Sequence, residues 1–336
     1  MKIERITSYD RFVDTKKDWN SLLSNSGQNC PFLTHQWFDA WWRCFGQNGA
    51  LEILFFRDES GSPIGIAPLM ISDDVLRFMA SPEVTDYCDF ISCAEKRAEF
   101  YNNLSDHFQK SYSECSRIEL INIPEASSTL LDFRRLATEC HYICEVEESE
   151  VVPVLVLPES YEDYIQSLGR KNRHELRRKL RKLETLGQIR IEQVTEPEGL
   201  GDAIKEFISL HRKSSPSKRN FWQMHGMSDF FSEFVHLFSS ENWMELNMLY
   251  VENKWIAALL NFQYEDISYF YNIAYDKDFS AYSPGFCLFD HSIKQAITKN
   301  KRSADFLRGR EKYKYFFGAK DSRIYNLKLE KREKIL

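Results

Sequence analysis

Tyr282-Ser283-Pro284-Gly285-Phe286-Cys287, followed by Asp305-Phe306-Leu307-Arg308-Gly309 and Tyr313-Lys314, is the stretch on which the fold turns. Ser is a favoured N-cap and Pro a favoured first helical residue, so a helix is predicted over 283–298. The open amides and the dipole of such a helix start attract phosphate. The preceding run, Ile267-Ser268-Tyr269-Phe270-Tyr271-Asn272-Ile273-Ala274-Tyr275, reads as a strand. Strand, loop and glycine-bearing helix start together suit a pyrophosphate, although Ser-Pro-Gly also makes an ordinary helix entry. Residues 304–307 read as a short strand broken at Gly309. Its carboxylate can take a proton from an amine, and Tyr313 can protonate a leaving thiolate. The same residues also fit a salt-bridged strand end with Tyr313 in the core.

Upstream lies Gly169-Arg170-Lys171-Asn172-Arg173-His174-Glu175-Leu176-Arg177-Arg178-Lys179-Leu180-Arg181-Lys182. At 100° per residue, Leu176, Leu180 and Leu183 share one face, and Arg170, Arg177 and Arg181 line the opposite one. Asn172 falls near the leucine stripe and needs a buried partner or a ligand. The run admits three readings: a solvated basic face, an anion site formed by Arg170, Lys171 and Arg173 at the helix start, or an RNA contact.

Strand and helix patterns alternate through both halves. In the first, a helix carries Trp37, Trp41 and Trp42, strands cover 51–57 and 64–71, helices 94–109 and 127–140, and strands 117–123 and 142–157. In the second, a helical region over 161–186 breaks near Gly169, a strand covers 189–194 and a helix 197–212. A polar loop spans 213–220, a helix 227–238, three antiparallel strands 244–275, and a last strand 324–329. Trp37 and Trp41 have the spacing of a core stripe; His35 precedes their helix as a polar contact at its start. Asp86 and Asp89 face a cleft or end a strand.

The hydrophobic share is 43% and the charged share 28%, as in ordinary globular proteins, and the aromatic share of 14% suits a groove for an elongated ligand. A net charge of −6 argues against a general nucleic-acid binder. The eight Cys, with Cys140 and Cys144 flanking a strand entry at His141, lack paired metal spacing and read as scattered thiols, with no metal expected. The N-terminus has no apolar signal core, and no run approaches the ~18 apolar residues that span a bilayer, so a cytoplasmic location is expected.

Taken together, these motifs resemble the CelD-like acetyltransferase family of the GNAT superfamily, related to FemAB-type transferases. The resemblance rests on Phe32-Leu33-Thr34-His35-Gln36-Trp37, on Ser167-Leu168-Gly169-Arg170-Lys171-Asn172-Arg173, and on the 282–314 stretch. It implies an α/β (α+β) fold of two tandem GNAT-like domains, 1–157 and 158–336, each a mixed, mostly antiparallel sheet flanked by helices. The active cleft would lie on the second. In the family's Gln/Arg-x-x-Gly-x-Gly/Ala loop, Tyr282 and Cys287 replace the usual residues, while Gly285 remains.

The implied activity is N-acylation of a sugar-nucleotide, polysaccharide or cell-envelope precursor by acetyl-CoA or another acyl-CoA. Tyr282, Ser283, Pro284, Gly285 and Phe286 would hold the coenzyme, with its arm along the strand of Tyr271 and Ile273. Asp305 or Glu245 would act as base and Tyr313 as acid. Arg170, Lys171, Asn172, Arg173 and Lys314 would bind the acceptor, with His35, Trp37 and Asp89 shaping its end of the cleft. Aminoacyl-tRNA transfer, with tRNA as the nucleic-acid partner, and a non-catalytic binding protein of degenerate GNAT fold are the alternatives.

Overall fold

The computed structural model describes residues 1–112, 115–139 and 142–331. The chain forms two compact units: Met1–Glu150 with the chain from Ser322 onward, and Val151–Asp321. Cys140 and His141 lie outside the described residues.

The first unit holds β1 (Lys2–Ile6), α1 (Tyr9–Val13), α2 (Lys16–Ser24), α3 (His35–Phe45), β2 (Ala50–Arg57), β3 (Pro63–Ser72), β4 (Val75–Phe78), β5 (Ile91–Ser92), α4 (Arg97–Ser111), β6 (Arg117–Pro124) and α5 (Thr129–Glu139). β7 (Tyr142–Val156) passes from this unit into the next. α3 starts where Thr34 accepts the Trp37 amide, the capping that a Thr before an apolar stripe predicts. Strands β1 to β4 pair antiparallel in order, and β4 then pairs parallel with β6.

The second unit holds α6 (Tyr161–Ser167), α7 (Arg170–Glu184), β8 (Ile189–Val194), α8 (Pro197–Ser214), α9 (Pro216–Phe221), α10 (Met227–Ser240), β9 (Met244–Val251), β10 (Lys254–Tyr264), β11 (Ile267–Tyr275), α11 (Pro284–Thr298), β12 (Ser303–Asp305) and α12 (Lys312–Phe316). β13 (Lys320–Lys331) closes the chain. Strands β8 to β11 are antiparallel, and β11 crosses through α11 into the parallel β12. Each unit therefore repeats one plan, an antiparallel ladder followed by a helical crossover into a parallel partner.

The break near Gly169 falls between α6 and α7, and Gly187 takes φ 127°, which suits a residue without Cβ after a helix. Two differences from the sequence reading stand out. Residues 213–220, expected as a polar loop, contain α9, whose N-cap Ser215 accepts the Lys218 amide ahead of Pro216. β13, which a division at 157 leaves with the second half, pairs antiparallel with β6 of the first unit. Among the described residues no helix is long and apolar enough to cross a membrane.

Candidate active site

The parallel pairing of β11 and β12 covers only Ile267 with Ser303, Ser268 with Ala304 and Tyr269 with Asp305. β11 runs on to Tyr275, while the chain after Asp305 follows β7: the Phe306 amide donates to Pro153 O at 3.0 Å and the Gly309 amide to Val151 O at 3.0 Å. The two strands thus splay into a wedge. Its apex coincides with a β-bulge: Asn261 of β10 opposes Phe270, Leu260 opposes Asn272, and Tyr271 is the extra residue. A bulge bends its strand and increases its local twist.

The start of α11 stands beside the free part of β11. A Cβ built on Gly285 would come within 2.9 Å of Ile273 Cδ1, the movable tip of a side chain, so glycine lets the helix start approach β11 without displacing that tip. Ser283 sits at the N-cap in the left-handed region (φ 54°), and its hydroxyl does not cap the helix. It accepts instead from Lys179 Nζ at 2.9 Å. Lys182 Nζ donates to Ala281 O at 2.9 Å and lies 5.3 Å from the Tyr282 ring, while Lys179 Nζ lies 4.2 Å over Phe286. Pro284 is buried and lacks an amide proton. The Ser283 amide donates to Ser280 O and that of Phe286 to Ser283 O. Of the amides over 283–286 expected to cradle phosphate, Gly285 alone is left for a ligand.

The basic helix does reach this cradle, but by its C-terminal half. Lys179 and Arg170 are nine residues apart, about 14 Å along the helix axis. Arg173 donates to the carbonyls of Ile165, Gln166 and Leu168 (3.4, 3.1 and 3.3 Å) and closes the end of α6. Asn172 donates to Phe316 O at 3.0 Å, the buried partner that its place near the leucine stripe required. Arg170 and Lys171 are exposed, on an open concave surface with His174 and Arg177.

Tyr313 stacks on Phe289 of α11 (centroids 4.9 Å, planes 21° apart). Burial first, and then the Glu311 charge, push its phenol pKa up, so it keeps its proton at neutral pH. Asp305 is buried, and its Oδ1 accepts the Leu307 amide at 2.8 Å. Its neighbour Ala304 belongs to the core cluster that Tyr313 packs against, so alternation turns Asp305 to the opposite face of the sheet. The two groups flank β12 rather than face each other.

Glu245 is set apart from both. Three strand spacings, about 14 Å, separate it from Asp305. It is 1% exposed and accepts from Gln193 (2.9 Å), Gln263 (2.8 Å), Asn261 (3.3 Å) and Lys299 (2.7 Å). A carboxylate so enclosed ties β8, β9, β10 and α11 together. Lys314, expected at the acceptor, is 2% exposed and donates to Leu307 O (3.0 Å) and Arg308 O (2.6 Å), holding the turn after β12. Tyr271 packs among Phe231, Phe234 and Phe262.

Three expected acceptor residues of the first unit are buried there. His35 stacks on Phe12 at 4.2 Å and its Nε2 is 3.0 Å from Phe12 O; burial lowers its pKa. Trp37 is fully buried and donates to Thr85 Oγ1 at 3.3 Å. Asp89, 1% exposed, accepts from Thr129 Oγ1 (2.5 Å) and the Phe90 amide (2.9 Å). None of the three presents an open contact to a ligand.

The free edge of β11 also carries groups that sequence reasoning missed. Ser214 Oγ accepts the Tyr275 amide at 3.1 Å and lies 2.9 Å from Tyr275 O. Lys218 of α9 donates to Ile273 O. His211, at the end of α8, accepts from Trp222 Nε1 at 2.9 Å, and burial, with the Lys218 charge next, lowers its pKa to about 3. The signal was present: Ser215-Pro216 is the same helix start as Ser283-Pro284.

Residues 170–315 match the family model described as an acetyltransferase (GNAT) domain. Across the whole chain, the structure resembles FemX (12% identity, TM-score 0.65, 97% of each chain). It also resembles L-PGS from Bacillus licheniformis (11% identity, TM-score 0.56, 95% of this chain and 91% of that one). A tandem GNAT protein from the clavulanic acid biosynthesis pathway follows at 8% identity and TM-score 0.54, covering 97% of this chain and 98% of that one.

The fold is a tandem GNAT fold.

The matched GNAT domain runs from the start of α7 through α12 and so includes the wedge, the start of α11 and the basic helix. No curated protein sequence matches this chain.

Proposed function

We propose that the protein is an acyl-CoA-dependent N-acyltransferase, most simply an N-acetyltransferase, acting on an amino group of a sugar-nucleotide, polysaccharide or cell-envelope precursor. The observation that carries this reading is the splay of β11 from β12 beside Gly285 at the start of α11. The helix start, the Gly285 amide and the charges of Lys179 and Lys182 suit the phosphates of coenzyme A. An extended arm along the edge of β11 beyond β12 would take the place of Lys218 at Ile273 O and of Ser214 at Tyr275. Tyr313 suits proton delivery to the departing thiolate, and Asp305, turned to the other face of β12, would take the proton of the attacking amine through water.

The test is a thermal-shift panel of acetyl-CoA, longer acyl-CoAs and free coenzyme A. A ligand at a hundred times its Kd adds about 2.7 kcal/mol to the native state. Gly285→Trp should abolish that shift while leaving the unliganded melting temperature within a few degrees. Absence of any shift with the wild-type chain overturns the coenzyme reading.

A second reading, transfer from aminoacyl-tRNA, is favoured by the exposed row of Arg170, Arg177 and Arg181 on α7, with Lys171 exposed beside it, and by the full-length likeness to FemX. It predicts binding of charged tRNA that weakens steeply with salt.

A further inference from the structure

Lys218 is a half-buried amine without a role in the proposed transfer. It rises from α9, a helix fixed by Ser215 and Pro216, and donates to Ile273 O. That carbonyl belongs to the stretch of β11 beyond Tyr269, where β12 no longer pairs. Among the described residues no ion pair joins Lys218 to a carboxylate. Glu311, whose charge acts on it, is itself 2.9 Å from Lys314 Nζ. Buried lysines are ordinarily paired. The other lysines near the wedge are engaged as cations: Lys179 with Ser283 Oγ, Lys182 with Ala281 O, and Lys314 with two carbonyls and Glu311.

We propose that Lys218 is an acyl acceptor within the wedge: an acyl thioester lodged along the free edge of β11 transfers its acyl group to the Lys218 amine when no other amine is supplied. This rests on the acyl-CoA reading of the same site. The neutral Nζ attacks the thioester carbonyl carbon, a C–N bond forms and the C–S bond breaks. The nitrogen gives up one proton and the thiolate takes one, leaving an amide and a free thiol with no change of oxidation state.

Two features of the site favour the step. Burial lowers the Lys218 pKa to about 8, so a sizeable fraction is neutral amine near physiological pH. The product is an uncharged amide that keeps one N–H for Ile273 O, so acylation removes a charge from an enclosed place. The titratable and charged groups that face the amine are His211 on α8, Tyr275 on β11 and Glu311 before α12. His211, with its pKa near 3, is neutral throughout the range in which Lys218 titrates. Acyl-Lys218 would occupy the edge that the donor arm needs, so the modification also shuts the wedge.

The experiment incubates the full-length chain with isotopically labelled acetyl-CoA and no acceptor, then maps labelled peptides by mass spectrometry between pH 7 and 9. Donor binding is followed in parallel by thermal shift. Lys218 should label first, up to one acetyl per chain, with an initial rate rising about tenfold over that range, as the neutral fraction of an amine of pKa about 8 does. Lys218→Arg, which keeps the cation and its bond to Ile273 O, should still shift with donor but lose the site-specific label. A thermal shift with no label at Lys218, or label on Lys218 no faster than in the urea-unfolded chain, overturns the proposal and leaves the coenzyme reading standing. Absence of any shift overturns both.

Discussion

At the scale of single residues, two buried carboxylates separate architecture from chemistry. Asp89 has an oxygen without a partner, and burial raises its pKa to about 6 against the pull of the hydroxyl and amide donors around it. Between the ordinary carboxyl pKa and 6, the folded chain holds a proton that the unfolded chain has lost. Stability therefore falls as pH rises through that window and is level above it. About two pKa units correspond to roughly 3 kcal/mol. Asp89→Asn should remove this slope, so the urea midpoint of the wild type should drop relative to the variant between pH 4 and 7. Parallel curves would mean that Asp89 is already charged in the fold. Glu245 is the opposite case, a carboxylate fully engaged by donors. Glu245→Ala leaves several amides without their acceptor, while the exposed Lys299 turns to solvent, and should cost roughly 3 kcal/mol in urea unfolding. Glu245→Gln keeps the volume and one acceptor oxygen but turns an NH2 group toward two donors, so it should cost less than alanine only by the cavity it avoids. Neither environment was legible in the sequence, because burial and partners come from strands distant along the chain. What the sequence did show was local: Gly285 beside a strand, and Asn172 on a leucine stripe that demanded a partner.

At the scale of elements, the readable features were those carried by neighbouring residues. The break between α6 and α7, β8, the three antiparallel strands and α11 all follow from period, caps and turns within a few positions. The wedge does not. It arises because Tyr271 is extra relative to β10 and because the chain after Asp305 pairs with β7, and both facts depend on register with remote strands. α9 was readable in principle, since Ser215-Pro216 repeats the helix start at Ser283-Pro284, but a charged six-residue segment lacks the apolar period that announces a helix. Ser215→Ala removes that cap and should cost about 1 kcal/mol. The loss should be local: amide exchange should speed up over 216–221, with β9 and β10 unchanged. If exchange over 216–221 keeps its wild-type rate, the cap does not hold α9 in place, nor Lys218 with it.

At the scale of the whole molecule, the repeat of one plan in both units was visible as an order of elements, whereas the ownership of the last strand was not. Ile324, Leu327 and Leu329 are buried, and Leu327 and Leu329 belong to the core cluster of the first unit, together with Phe90, Phe100, Phe108 and Phe133. The alternation of Leu327 and Leu329 shows a half-buried strand, but alternation cannot say against which sheet it packs. Chain order favours the nearer, second half; the register of β13 against β6, Leu327 opposite Leu120 and Leu329 opposite Ile118, decides for the first. The consequence is an asymmetry in how the chain responds to damage at its end. Leu327→Asp places a charge in the core of the first unit and should destabilise that unit by several kcal/mol, the cost of an unpaired buried charge. Hydrogen exchange should then accelerate in α4, β6 and α5, while β9, β10 and α11 of the GNAT domain keep their protection. The donor-induced thermal shift should also persist, because the wedge is built wholly from residues of the second unit. Loss of protection in α11 at the same denaturant concentration would mean that the two units unfold as one cooperative block.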